Sequence, residues 1–195
     1  DAAATFGGAL PQRRLGDEKE VFQGLRLDQV KQCGVLKVLD LCSGLGSVPW
    51  MLDKLGVVAK VWECEIDEKA RWVAAARAPN SEQLLPSTVW YWASKAGLAR
   101  LRALKPRLVV AGFPCQSVSE ANAKGEGLHG KSEVFEAVWI IILELRSADW
   151  DVDFFLECTD FARRHPKDFA YVCTALGVQA TVLQAAIAPH IHGRL

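Results

Sequence analysis

Cys115 lies in the run Gly112-Phe113-Pro114-Cys115-Gln116-Ser117-Val118-Ser119, directly after the apolar stretch Leu108 to Ala111. A thiol on a polar loop behind a buried strand stays accessible, and Pro114 fixes the backbone beside it. That setting suits a nucleophile; the alternative is the small buried hydrophobe that most cysteines are, which is the reading given to Cys33 and Cys173. Glu157 is the second group with chemical potential, at the end of the apolar run Phe154-Phe155-Leu156. A carboxyl at such a tip is expected to be partly desolvated, which suits it to donating a proton near neutrality. Equally, it can cap the next helix or pair with Arg163 or Arg164.

Two more segments look like ligand contacts. In Val38-Leu39-Asp40-Leu41-Cys42-Ser43-Gly44-Leu45-Gly46-Ser47, an apolar run enters a glycine turn and then a helical pattern. Gly44 and Gly46 permit positive φ and close backbone approach, so a nucleoside or a charged amino-acid tail can sit against the helix N-terminus; a tight connection with no ligand has the same pattern. The next apolar run ends in Glu65-Ile66-Asp67, which places the Glu65 carboxylate at a strand tip, where it can accept hydrogen bonds from two ribose hydroxyls. A solvated acid at a helix start is the other possibility, and it is the reading for Asp67 and Glu68. Together, the glycine turn and Glu65 favour a nucleoside cofactor.

These residues need a scaffold that brings four loops together. Apolar runs at Val35 to Leu41, Val57 to Trp62, Leu108 to Ala111, Asp153 to Leu156 and Val178 to Leu183 predict strands. Helical spacing occupies Val48 to Leu55, Glu68 to Ala76, Trp92 to Leu104, Val134 to Leu145 and Asp168 to Leu176. Alternation of the two implies an α/β fold with a mostly parallel sheet covered on both faces. Such sheets bind ligands beyond the carboxyl ends of their strands, where the strand order reverses. Asp40 to Ser47, Glu63 to Asp67, Gly112 to Ser119 and Glu157 to Asp160 each follow a predicted strand, as that rule requires. Residues 1–34, Ala/Gly-rich and then charged, are expected to form a loosely ordered lead-in or one short helix, leaving residues 35–195 as a single domain.

Composition sets the outer limits. The 195 residues are half hydrophobic, enough for one sizeable core, and 23 Lys and Arg balance 23 Asp and Glu, so no global basic field announces a nucleic-acid partner. Any such surface has to be local. The six cysteines contain no Cys-x-x-Cys pair and no signal peptide precedes them, which implies free thiols in a reducing compartment. The longest apolar stretch, Val134 to Leu145, carries Glu136 and Glu144 and falls short of the roughly 20 residues of a bilayer span, so no membrane role is expected. Lys124 and His129 are read as solvated loop residues, and the Trp residues at 62, 72, 90, 92, 139 and 150 as packing.

The four segments, in this order, resemble the cytosine-C5 methyltransferase family over roughly residues 35 to 195. Asp40 to Gly46 is similar to its cofactor glycine motif, Glu63 to Ala70 to its ribose-binding acidic motif, Gly112 to Ser117 to its nucleophile motif, and Glu157-Cys158-Thr159 to its Glu-Asn-Val motif. Gly127 to Leu145 resembles the helix after the catalytic loop, and the Phe-Phe-Leu-Glu spacing is most similar to the eukaryotic de novo-type branch. The resemblance implies a Rossmann-like S-adenosylmethionine-dependent methyltransferase fold, with that cofactor held by Asp40, Cys42, Ser43, Gly44, Leu45, Gly46, Glu65, Ile66 and Pro114. It implies Cys115 as nucleophile and Glu157 as acid, with Arg194 beside the flipped base and Gln116, Ser117, Ser119 and His192 as DNA contacts. On this reading Cys115 attacks cytosine C6 while Glu157 engages N3, and C5 then takes the methyl group; DNA is the partner, no metal is needed, and the protein is nuclear in a eukaryote, otherwise cytoplasmic, and not secreted.

The chain also departs from the family pattern. Cys42 replaces an aromatic residue, Cys158-Thr159 replaces Asn-Val, and Thr88-Val89-Trp90-Tyr91-Trp92 lacks the acid of the third motif. His190, His192 and Arg194 stand where the family has Gln-x-Arg-x-Arg, and the target-recognition region and the last two motifs are not visible. The resemblance leaves two alternatives, a transfer-RNA cytosine methyltransferase and a catalytically silent cofactor-binding or regulatory module.

Overall fold

A computed structural model describes residues 34–119, 122, 124–148 and 150–180. Residues 1–33, with the expected lead-in, and the segment holding His190, His192 and Arg194 lie outside it, as does the second half of the strand expected at Val178 to Leu183, whose first three residues form no strand. Among the described residues, five strands form one parallel sheet: β1 (Leu36–Leu41), β2 (Ala59–Cys64), β3 (Glu82–Gln83), β4 (Leu108–Gly112) and β5 (Asp153–Glu157). Their order is β3-β2-β1-β4-β5. The chain therefore winds outward from β1 through β2 to β3, returns to lay β4 on the other side of β1, and continues to β5.

Six helices connect them: α1 (Ser47–Lys54), α2 (Glu68–Arg77), α3 (Val89–Trp92), α4 (Lys95–Leu104), α5 (Val134–Arg146) and α6 (Pro166–Leu176), with a 3-10 turn at Gly130–Glu133. The larger core lies on one sheet face, where Leu39, Leu41, Trp62, Cys64, Val109 and Ala111 meet Trp92, Leu101 and the fully apolar stripe of α5. The other face is packed more thinly, with Val38, Val61 and Leu52 against Val57 and the half-buried Leu108 and Val110. Strands buried from two sides read as continuous apolar runs, which is why β1 and β4 are plain in the sequence.

Two elements and two tryptophans differ from expectation. β2 starts two residues later than predicted because the Val57 N–H bonds Leu52 O at 2.9 Å and belongs to the exit of α1, while Glu63 and Cys64 extend the pairing with Asp40 and Leu41. The helix expected from Trp92 to Leu104 is broken in two. Ser94 caps α4 by accepting the Gly97 N–H at 3.3 Å, and Gly97 packs so closely on α3 that a Cβ there would lie 2.3 Å from Tyr91 O. Of the tryptophans, Trp62 and Trp92 are buried, and Trp139 and Trp150 donate their indole N–H groups to Ala175 O and Pro106 O. Trp72 is 75% exposed and Trp90 44%, so neither is core.

Candidate active site

The strand order reverses between β1 and β4, and the carboxyl ends of these two strands are where a sheet of this kind is expected to bind a ligand. The first lip of this site is the turn after β1. Cys42, Gly44 and Gly46 all have positive φ (56°, 55° and 70°), which lets the chain reverse sharply and start α1 with Gly46 as N-cap. No side chain caps α1, leaving its first N–H groups open at this end of the sheet. Glu65, at the tip of β2, clamps the turn: its Oε2 accepts the Gly44 N–H at 2.8 Å and its Oε1 accepts the Asp67 N–H at 2.9 Å. Arg71 fixes the same tip by donating to the carbonyls of Glu65 and Ile66, both at 2.9 Å. Leu45 and Ile66 stand exposed on either side. Asp67 is the N-cap of α2, accepting from Lys69 and Ala70, which is the structural role anticipated for it.

Beneath the turn lies a pair of buried acids. Asp40 and Glu63 are register partners on β1 and β2, 2% and 0% exposed. Ser81 Oγ and Gln83 Nε2 donate to Glu63 Oε2, but Glu63 Oε1 and Asp40 Oδ2 are buried without a partner. Burial, reinforced by Glu63 and Glu65, pushes the Asp40 carboxyl from 3.8 up to about 8, and burial raises Glu63 as well. The folded chain thus keeps an Asp40 proton that the unfolded chain releases near 3.8. Between those values stability falls as pH rises. Asp40→Asn removes this slope and offers an amide N–H toward Glu63. The variant is expected to match wild type near pH 5 and to exceed it by about 1–3 kcal/mol at pH 8.5; urea denaturation at the two pH values would show it, and parallel pH profiles would contradict it.

The unpartnered oxygens Asp40 Oδ2 and Ser43 Oγ, with the open N–H groups of α1, form a polar floor for a charged amino-acid tail. These residues fit S-adenosylmethionine. Cys42 is half-buried and packs against the larger core; burial, then Glu65 and Asp40, push its thiol up to about 12.

The second lip is the loop after β4. Ser132 is fully buried and donates its hydroxyl to Pro114 O at 2.7 Å, fixing the chain just before Cys115. The Cys115 carbonyl accepts the N–H groups of Val118 and Ser119 at 3.0 and 2.8 Å, so Cys115 opens a single helical turn. Cys115 is half-buried and Gln116 exposed, whereas Ser117 is buried and its carbonyl accepts the Gly127 N–H at 3.1 Å. Ser117 therefore builds the neck of the loop rather than its outer surface. Lys124 and His129 are exposed, as anticipated.

Glu157 ends β5 directly beside Gly112 of β4, and its Oε2 lies 3.6 Å from where a Gly112 Cβ would stand. The Cys115 loop and Glu157 thus leave neighbouring strands side by side. The expectation of a desolvated Glu157 is corrected: it is exposed. Phe154 and Leu156 turn to the larger core, so Phe155 and Glu157 point to the opposite, thinly covered face, and β5 is the edge of the described sheet. Cys158, which follows it, packs on the core, and burial, then Cys115 and Glu157, raise its thiol to about 12. Four residues that shape this region have contacts that the sequence pattern does not foretell. Glu63 is hidden between Trp62 and Cys64, its only signal an acid inside an apolar run. Ser132, Arg164 and Asp168 act through contacts distant in sequence and carry no local pattern.

Among the described residues no cluster of His, Cys, Asp and Glu is arranged to hold a metal ion, and no helix is long and apolar enough to cross a membrane. Residues 36–148 match the model of the C-5 cytosine-specific DNA methylase family. No curated protein matches the chain. A solved structure of a Spodoptera frugiperda DNMT2 variant is 15% identical over 72% of this chain and 41% of its own, with a TM-score of 0.50. A prophage protein of E. coli, described as a DNA modification methyltransferase, is 18% identical over 73% of this chain and 38% of its own, with a TM-score of 0.51. The chain thus spans about two fifths of the length of either structure, and at these identities the likeness is one of fold.

Proposed function

The chain belongs to the C-5 cytosine-specific DNA methylase family, and from that premise we propose that it methylates carbon 5 of cytosine in DNA, with residues 35–195 contributing the catalytic domain. The observation that carries this reading is the position of Cys115 and Glu157 at the ends of adjacent strands, with the Cys115 strand beside β1 and its glycine turn, where the sheet order reverses.

In the proposed reaction the target cytosine leaves the base stack, because its reactive edge is inaccessible within the duplex. Cys115 Sγ, as thiolate, forms a bond to ring carbon C6. Glu157 binds the ring at N3 and supplies a proton there, so the ring accepts the electron pair that the sulfur donates. The exposure of Glu157 suits it to meeting a base that arrives from outside. When bound, S-adenosylmethionine supplies an electrophilic methyl group, which carbon 5 takes. Methyl transfer leaves the neutral thioether; a base, water or hydroxide, then takes the C5 proton, the C5–H electron pair restores the ring double bond and expels Cys115 as thiolate, and Glu157 recovers its proton from N3. Asp40, Ser43 and the α1 N-terminus would hold the amino-acid tail of the cofactor, Glu65 its ribose, and Leu45, Ile66 and Cys42 its apolar surroundings, with Pro114 at the far wall. Gln116 and Ser119 are proposed as DNA contacts. Arg194 and His192 are proposed beside the base, and nuclear action on chromosomal DNA follows if the source cell is eukaryotic.

The test is trapping with 5-fluorocytosine oligonucleotides in the presence of S-adenosylmethionine, because a fluorine at C5 cannot leave as a proton. The full-length protein is expected to form a Cys115-dependent adduct with DNA that survives denaturing electrophoresis. An adduct with RNA alone would reassign the substrate. No adduct with either would remove the enzymatic reading in favour of a silent cofactor-binding module.

A further inference from the structure

We propose that Arg164, just before α6, and Asp168, in its first turn, are positioning residues that hold the Cys115 loop in register for attack. This rests on the reading of Cys115 as nucleophile. The loop is tied at both stems to this one segment. At the outgoing stem, the helical turn opened by Cys115 ends at Ser119, and Arg164 Nη1 donates to Ser119 O at 3.0 Å across 45 residues of sequence. At the returning stem, the Leu128 N–H donates to Asp168 Oδ2 at 3.0 Å. Within the loop, Gly127 N–H to Ser117 O at 3.1 Å and Asn122 Nδ2 to Gln116 O at 2.9 Å draw the stems together.

The fit at the second tie is close. Gly127 has φ +71°, and a Cβ there would lie 2.1 Å from Asp168 Oδ2 and 3.4 Å from His165 Nδ1. A side chain at 127 would therefore displace the very oxygen that the Leu128 N–H uses. His165 Nδ1 lies 4.0 Å from the same oxygen. The clamping segment is itself fixed: Phe161 is buried and stacks edgewise on Phe169 at 5.4 Å, and His165 and Phe169 donate backbone N–H groups to Phe161 O and His165 O. Because it leaves β5 at Glu157, it joins acid and nucleophile into one mechanical unit. Ser132 fixes the chain before Cys115, and Arg164 fixes the turn after it. The guanidinium also places a positive charge at the carbonyl end of that turn, where it is favoured.

A reacting thiol displaced by about 1 Å loses on the order of a hundredfold in rate. With the full-length protein and a 5-fluorocytosine DNA oligonucleotide, Arg164→Ala and Asp168→Ala are expected to slow single-turnover adduct formation about 10- to 100-fold, with the half-saturating oligonucleotide concentration nearly unchanged. Arg164→Lys, which keeps one donor for Ser119 O, is expected to recover much of the rate. Thermal midpoints measured alongside separate positioning from folding. Wild-type adduct rates in both alanine variants would overturn the proposal, as would a loss wholly accounted for by the unfolded fraction or confined to the half-saturating concentration. Absence of an adduct with the wild-type protein would overturn the reading of Cys115 itself, and this proposal with it.

Discussion

Replacing Cys115 with alanine is expected to abolish adduct formation and to lower methyl transfer by at least about a thousandfold, with S-adenosylmethionine binding and the thermal midpoint close to wild type. The separation follows from how the residue is held. Its structural duties run through its backbone: the carbonyl accepts from Val118 and Ser119, and the preceding carbonyl from Ser132. All three bonds persist in alanine. The sulfur is what the substitution removes, and no neighbour replaces it. Cys42, Cys64 and Cys158 have thiols raised to about 12, chiefly by burial, and stay neutral near pH 7. Transfer of a labelled methyl group, paired with cofactor titration, measures both halves of the expectation. Residual transfer within tenfold of wild type would show that the sulfur is not the nucleophile.

Gly46→Val is expected to cost about 2–4 kcal/mol of stability, lowering the thermal midpoint by about 5–15 °C, and to remove measurable S-adenosylmethionine binding. Two effects act together. The backbone at Gly46 has φ +70°, which a β-branched residue adopts poorly. In addition, its Cβ would stand 2.9 Å from Ala74 Cβ, 3.0 Å from Ala74 Cα and 3.1 Å from Glu63 Oε1. Ala74 is fully buried on α2 and Glu63 is held by Ser81 and Gln83, so neither can give way cheaply. Gly44→Ala is the control for strain without crowding. Its φ is +55° but nothing lies within 4 Å of the added carbon, so it is expected to cost only about 1 kcal/mol. Thermal melts of the two variants, with calorimetric titration of the cofactor, distinguish them. A Gly46→Val protein that melts within about 2 °C of wild type would show that the turn can move.

What the sequence reveals, and what it hides, follows from the range of the interactions involved. β1 and β4 are legible because buried parallel strands are runs of Val and Leu, β5 because Phe154-Phe155-Leu156 is an apolar run even at the sheet edge, and the glycine turn because positive φ restricts residue choice to a short local pattern. The break between α3 and α4 is harder to read, since it depends on Gly97 meeting the backbone of Tyr91 and Trp92. β3, at two residues, is too short to show a period. Cys115 and Glu65 lie in motifs, but the exposure of Glu157 depends on β5 being an edge strand and on which face its alternate residues meet. The ties from Arg164 and Asp168 to the Cys115 loop span 45 and 40 residues. Nothing in the local pattern of Ala-Arg-Arg-His-Pro-Lys-Asp foretells them.

The order β3-β2-β1-β4-β5 also dictates the sequence of events as the chain folds. β1, α1 and β2 are neighbours in both chain and space, so the glycine turn and its Glu65 clamp close through a short loop. Val38 pairs with Leu108 only after all the intervening chain has been gathered, which is an entropically dearer and slower closure. In a refolding molecule the glycine turn is therefore expected to close before the Cys115 loop is docked. Competence for covalent trapping, which needs both, becomes a clock that starts when β4 docks, and an intermediate with only the first half of the sheet would hold the nucleotide side of the site while remaining chemically inert.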